Sequence, residues 1–323
     1  MSKLAELRKR LLEQEQKSNL STYSDNTIYP FWNINDNSTA VVRFLPDGDA
    51  NNPYFWVERQ MIKLTFSGIK GHDETKPVTV KVPCMEMWEN EKCPIHDEIR
   101  PWFKDGSLEE TARKYWKKRS YLFQGLVVDS PLKEENVPEN PIRRFIISPQ
   151  IYNIIKAALM DPDFPEIPTD YDAGTDFRIN KTPNGQYPTY TTSNWARRER
   201  SLTEDERNII DNFGLFNLND FLPKKPNQEE LQAIFDMFEA SVDGQLYDPE
   251  KFEQFYKPSG YNSENSNNDH DDDEAPTSKS DKPAKTVEDN STDNEGDNTD
   301  NNSESTGKNA KDILAAIRNR QAS

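Results

Sequence analysis

The chain has 323 residues, with 57 acidic against 40 basic side chains, a net charge of −17 and only 33% hydrophobic residues. A mean hydropathy of −0.98 is too polar for one compact globule of this length, and predicts a folded core with solvated extensions. Two cysteines exclude a disulfide framework, no apolar run approaches the ~20 residues that span a bilayer, and the N-terminus has no apolar signal core, which together point to a soluble intracellular protein.

Residues 3–17 place Leu4, Leu7, Leu11 and Leu12 on one helical face, with Lys3, Arg8, Lys9 and Arg10 around much of the rest. Polar turn formers follow to Asn26, so 1–25 is read as a basic amphipathic arm, or else as a helix packed on its own core. The folded core is expected over 26–260. Strands are predicted at 40–46, 54–66 and 78–82, the last two forming a hairpin around Gly68 and Gly71. A central strand at 120–128 and another at 143–147 follow. Residues 149–159 then read as a helix with Pro149 at its start. Residues 176–180 and 187–192 read as a hairpin around Pro183-Asn184-Gly185. Short strands at irregular spacing suggest a small β-barrel with added helices rather than a βαβ sheet. Residues 202–256 are helical, with a capping-box pattern at Asn227 and Glu230. Residues 261–323 form an acidic tail expected to be disordered: Ser263 to Ser305 carry 14 acidic and 3 basic side chains, and a short amphipathic segment at 311–318 closes the chain.

Positive charge is clustered. Residues 113–121 contain Arg113, Lys114, Lys117, Lys118 and Arg119 with Tyr115, Trp116 and Tyr121, and no acid. A second cluster runs from Tyr187 through Tyr190 and Trp195 to Arg197, Arg198 and Arg200; Arg143 and Arg144 make a third, and Arg43 lies mid-strand. Cations that track phosphates and rings that accept unpaired bases are the two parts of a single-strand binding surface. Each charge run could instead be a solvated face and each ring core. The acidic tail, as a tethered polyanion, could occupy a basic groove, or simply aid solubility.

Cys84, Cys93 and His96 have spacing suited to a structural metal, with zinc as the natural ion. His72 is the obvious fourth ligand by residue type, although strand geometry sets it about 20 Å from Cys84; Gln60 and Asp97 are poorer donors. The alternative is two reduced cysteines and a surface histidine. No phosphate-cradling Gly-rich loop, zinc-deaminase pattern or nucleophile elbow occurs, so an enzyme is not expected.

Several of these segments occur together and in order along about 35–200: residues 40–46, Cys84 with Cys93-Pro94-Ile95-His96, and Lys117-Lys118-Arg119-Ser120-Tyr121 ahead of 126–131. In this the chain resembles the single-stranded DNA-binding, helix-destabilising proteins of T-even-like bacteriophages. The resemblance implies an OB-fold-like core with an embedded zinc-type subdomain at about 59–105, and a cleft holding Arg43, Lys117, Lys118, Arg119 and Tyr121. It implies self-association along DNA through the arm, recruitment of replication, recombination and repair proteins by the tail, and residence in the cytoplasm of an infected bacterial host. The chain departs from the family in carrying His96 where the knuckle ends in cysteine, and Gln60 near the family's histidine ligand. A zinc-stabilised RNA-binding regulator is the alternative, because stacking does not distinguish the sugars.

Overall fold

The computed structural model describes residues 26–72, 76–134, 136–164, 166–185 and 187–259. The expected N-terminal arm helix, the acidic tail and its terminal amphipathic segment lie outside the described residues.

The protein is mainly β, with one antiparallel sheet and several helices around it. In chain order the elements are β1 (Ser38–Phe44), β2 (Trp56–Phe66), β3 (Val78–Pro83), α1 (Pro94–Ile99), α2 (Glu109–Tyr115), β4 (Lys118–Asp129), β5 (Ile142–Ile147) and α3 (Pro149–Leu159). β6 (Phe177–Asn184), β7 (Tyr187–Thr189), β8 (Asn194–Trp195), α4 (Glu204–Phe213), α5 (Gln228–Val242) and α6 (Pro249–Phe252) follow. Hydrogen bonding runs β3-β2-β4-β1-β6-β7, with β5 added to β4 and β8 to β6. The pairing is an open path, where a closed barrel was expected.

β4 organises the sheet. Its seven residues 120–126 are buried in succession, the pattern of a strand covered on both faces. Its first half pairs with β2, from Met61–Lys118 to Trp56–Phe123. Its second half pairs with β1, with Gly125 opposite Phe44. β5 lies along the other edge, from Tyr121–Ile147 to Leu126–Ile142. A Cβ at Gly125 would lie 2.3 Å from the Arg43 carbonyl oxygen, so glycine is what lets β1 approach where β4 changes partners.

Two large cores result. The first gathers Phe44, Phe123, Phe145, Phe177, Tyr190 and Trp195 with Ile151 and Ile155 of α3. The second gathers Ile62 and Leu64 of β2, Val80 and Val82 of β3, Cys84, Cys93, Ile95 and Trp102, and is closed by Met237 and Phe238 of α5 with Tyr247 and Phe252. The helical region therefore divides between them. Ile210 of α4 packs with Leu126 and Ile142, beside the first core, while α5 roofs the second. The capping box predicted at Asn227 and Glu230 is present, and Thr203 with Glu206 makes another on α4.

Candidate nucleic-acid interface and metal cluster

The basic-aromatic clusters do not form one exposed surface. Residues 109–115 are helix α2, and its period turns Ala112 and Tyr115 inward while Arg113 and Lys114 face solvent. Tyr115 is buried, with its hydroxyl 3.0 Å from that of Ser241. Arg113 is ion-paired with Glu109, and Lys114 lies 5.6 Å from the Tyr115 ring. Tyr190 and Trp195 are core residues against Phe31 and Phe44 respectively. Tyr187, Arg197 and Arg198 are exposed.

Three predicted cations are structural instead. Arg43 is 0% exposed; it lies 3.4 Å from Asp176, and its guanidinium donates to the Arg200 carbonyl. Burial pushes its pKa down, and Asp176 opposes that shift. Arg143 donates to both oxygens of Glu134 and to the carbonyls of Asn26, Thr27 and Ile28, pinning the first described residues to β5. Arg144 is 5% exposed and lies 3.6 Å from the Phe221 ring centroid. In this conformation none of the three can reach a phosphate. A charge count along the sequence does not separate such buried, partnered arginines from a binding stripe.

A different set of rings converges where β2 meets β4. The register puts Trp56 opposite Phe123, Glu58 opposite Tyr121 and Gln60 opposite Arg119, so these six side chains share one face. Tyr152 of α3 lies over this face. Its ring stacks on Tyr121 at 3.5 Å and 9°, and meets Trp56 edge-on at 5.6 Å. Tyr54 continues the row, 4.9 Å from Trp56, and is 57% exposed. Trp56 and Tyr152 are half-buried. Arg119 sits at the end of the row, 42% exposed and 3.5 Å from Glu58. Burial raises the Tyr152 pKa, with Glu58 and Tyr54 adding to the rise. Of this row the sequence singled out only Tyr121 and Arg119. Tyr54 and Trp56 alternate at the start of a strand, and Tyr152 looks like an ordinary helix residue until α3 is docked.

Cys84, Cys93 and His96 do come together, all buried, with ligand atoms within 4.8 Å of one another. Cys84 follows β3, where its N–H donates to the Gln60 carbonyl. Cys93 is the N-cap of α1, and Pro94 starts the helix. Cys93 is held down to about 7 by hydrogen bonding from Cys84, against burial, with further backbone bonds from His96, Met85 and Ile95. The same pairing pushes the Cys84 thiol up. His96 Nδ1 is 3.0 Å from Glu86, and its Nε2 accepts the Lys117 N–H at 3.2 Å. Burial holds its pKa below the usual value, so it is a neutral ring carrying its proton on Nδ1. Trp116 stacks on it at 4.3 Å and 14°, and Lys117 donates to Glu86 at 2.8 Å.

This donor set could hold a metal ion. The Cys93 sulfur is already biased toward thiolate by the Cys84 thiol and by backbone donors, and the Gln60 Oε1 is buried with no hydrogen-bond partner among the described residues. To ligate, the imidazole must exchange one of its two present partners. His72 does not join the cluster: it is exposed at the far end of the β2–β3 hairpin, beyond the Phe66–Val78 pair, while Cys84 is at the Met61–Pro83 end. The expected surface position of His96, the alternative to a metal, is also not found, since the ring is fully buried.

No family model matches the chain, and no curated protein matches it. No described helix is long and apolar enough to cross a membrane.

Proposed function

We propose that the protein is a non-catalytic binder that coats single-stranded DNA without strong sequence preference. The observation that carries this reading is the partly exposed ring row Tyr54–Trp56–Tyr152, backed by Tyr121, which is itself buried beneath Tyr152, and ending at Arg119. Unpaired bases stack on such rings at about 1–3 kcal/mol each, whereas a duplex hides its base faces. Lys118 and Arg119 at the start of β4 would follow the phosphates, with Arg113 and Lys114 on the adjoining helix. The antiparallel sheet around the first core is read as OB-fold-like, and the Cys84–Cys93–His96 cluster as a zinc site, because two sulfurs and an imidazole suit that ion. Zinc bound there would join Cys84, which follows β3, to Cys93 and His96 at the start of α1. Roles in phage replication, recombination and repair, arm-mediated self-association, and tail-mediated recruitment of partner proteins belong to the same proposal.

The test is a tryptophan-fluorescence titration with oligo-dT, an equal-length RNA and a matched duplex at two salt concentrations. The expected result is quenching by the DNA single strand, weaker duplex binding and a steep salt dependence. Trp56→Ala should weaken oligo-dT binding by about 1–3 kcal/mol with the fold intact. Equal affinity for strand and duplex, or unchanged affinity in the variant, would overturn the reading; preference for RNA would favour the RNA-binding alternative.

A further inference from the structure

From Trp56 to Arg59, β2 has β4 as its only strand partner, since β3 begins its pairing at Met61 and the Cys84 N–H bonds the Gln60 carbonyl. Beside Glu58 in this stretch lies a depression of about 610 Å³. Its walls come from three places: Glu58 of β2, Met87 and Trp88 after β3, and the 219–225 segment between α4 and α5. Leu222 and Pro223 add apolar surface, Asn219 and Asp220 polar groups, and Lys224 and Lys225 positive charge. Lys225 is ion-paired with Glu91, but neither Lys224 nor the Asp220 carboxylate has a side-chain partner among the described residues. Glu58 belongs both to this pocket and to the face that carries the ring row.

An indole, a thioether and a proline beside two lysines and two carboxylates make an unusual lining. The flat apolar part suits a heterocyclic ring, and the lysines suit a phosphate. The carboxylates repel phosphate and accept hydrogen bonds only, so they suit an exocyclic amino group. Resting on the single-strand reading above, we infer that this pocket is a subsite for one nucleotide of the bound strand, and that it favours a base bearing an exocyclic amino group over thymine. The strand passes from the ring row over Arg119 and Glu58 and turns one nucleotide against Trp88, with its phosphate on Lys224.

The test uses the full chain and fluorescently labelled oligo-dC and oligo-dT of equal length, read by anisotropy. The wild-type protein is expected to bind oligo-dC several-fold more tightly. Lys224→Glu, at an exposed position, should weaken binding of both by roughly tenfold at low salt. Asp220→Ala should remove the difference between dC and dT. Trp88→Ala should weaken both; because Trp88 packs partly on the second core, the two exposed variants keep the test decisive if it fails to fold. If Lys224→Glu and Asp220→Ala change nothing while Trp56→Ala still weakens binding, the subsite is wrong and the single-strand reading stands. If none of these variants changes affinity, both fall.

Discussion

Arg43 shows how one side chain can read as a ligand contact and serve as a keystone. It projects from β1 into a buried knot in which Asp176 also receives Arg200, and Arg200 in turn grips Glu206. Arg43→Ala would leave a cavity at a fully buried site and Asp176 with Arg200 as its remaining cation, so it should destabilise the fold by about 3 kcal/mol in urea denaturation. Unchanged stability with lost oligonucleotide affinity would return Arg43 to the binding surface. His96 is a comparable case: full burial, Glu86 on one nitrogen and a backbone N–H on the other fix its tautomer. Glu86 would be raised by burial, yet Lys117 and His96 hold it down to about 2. The cysteine and histidine types were legible in the sequence as a metal set. That Glu86 and the Lys117 N–H occupy both ring nitrogens, and that Gln60 has a buried oxygen, depend on how distant segments pack together.

At the scale of elements, β4 and α4 carry the clearest consequences. Gly125 sits where β4 leaves β2 for β1, and the atoms that a new Cβ would meet are backbone atoms of Arg43 and Phe44, which cannot rotate away. Gly125→Ala should therefore cost about 2 kcal/mol or more in thermal or urea unfolding; a neutral effect would mean that the two strands are not in close register there. The start of α4 should be sensitive to acid. Burial works to raise the Glu206 pKa, but Arg200 and the Thr203 cap hold it below the ordinary value of 4.5. A depressed carboxylate contributes its stability in full above that ordinary value and loses it as pH falls through the lower, folded value. Glu206→Gln should lower stability at pH 7 and flatten the loss seen between pH 5 and the acid limit; an unchanged acid profile would remove Glu206 from the cause. Strand and helix positions were largely readable, because alternation, Pro149 and the Asn227 cap are local signals. Helix α2 was not, because its cations and rings looked like a strip until the helical period sorted them into two faces.

Over the whole molecule, β2 joins the two cores: Trp56 packs against the first, while Ile62, Leu64 and Phe66 lie in the second. If the cluster holds zinc, adding the ion should raise the melting temperature and a chelator should lower it, by binding linkage, and Cys93→Ser should abolish both shifts. No response to metal in the reduced wild-type protein would leave Cys84 and Cys93 as packing residues. The sequence by itself determined the mainly β character, the acidic balance, most element positions and the Cys84–Cys93–His96 cluster, because composition, periodicity and ligand spacing are properties of neighbouring residues. Only the tertiary structure decided which cations are buried, how the sheet is ordered, and that Tyr54, Trp56 and Tyr152 meet Tyr121. Those outcomes are set by strand register and by the docking of α3, which join residues 31 to 96 positions apart, and no local pattern encodes them.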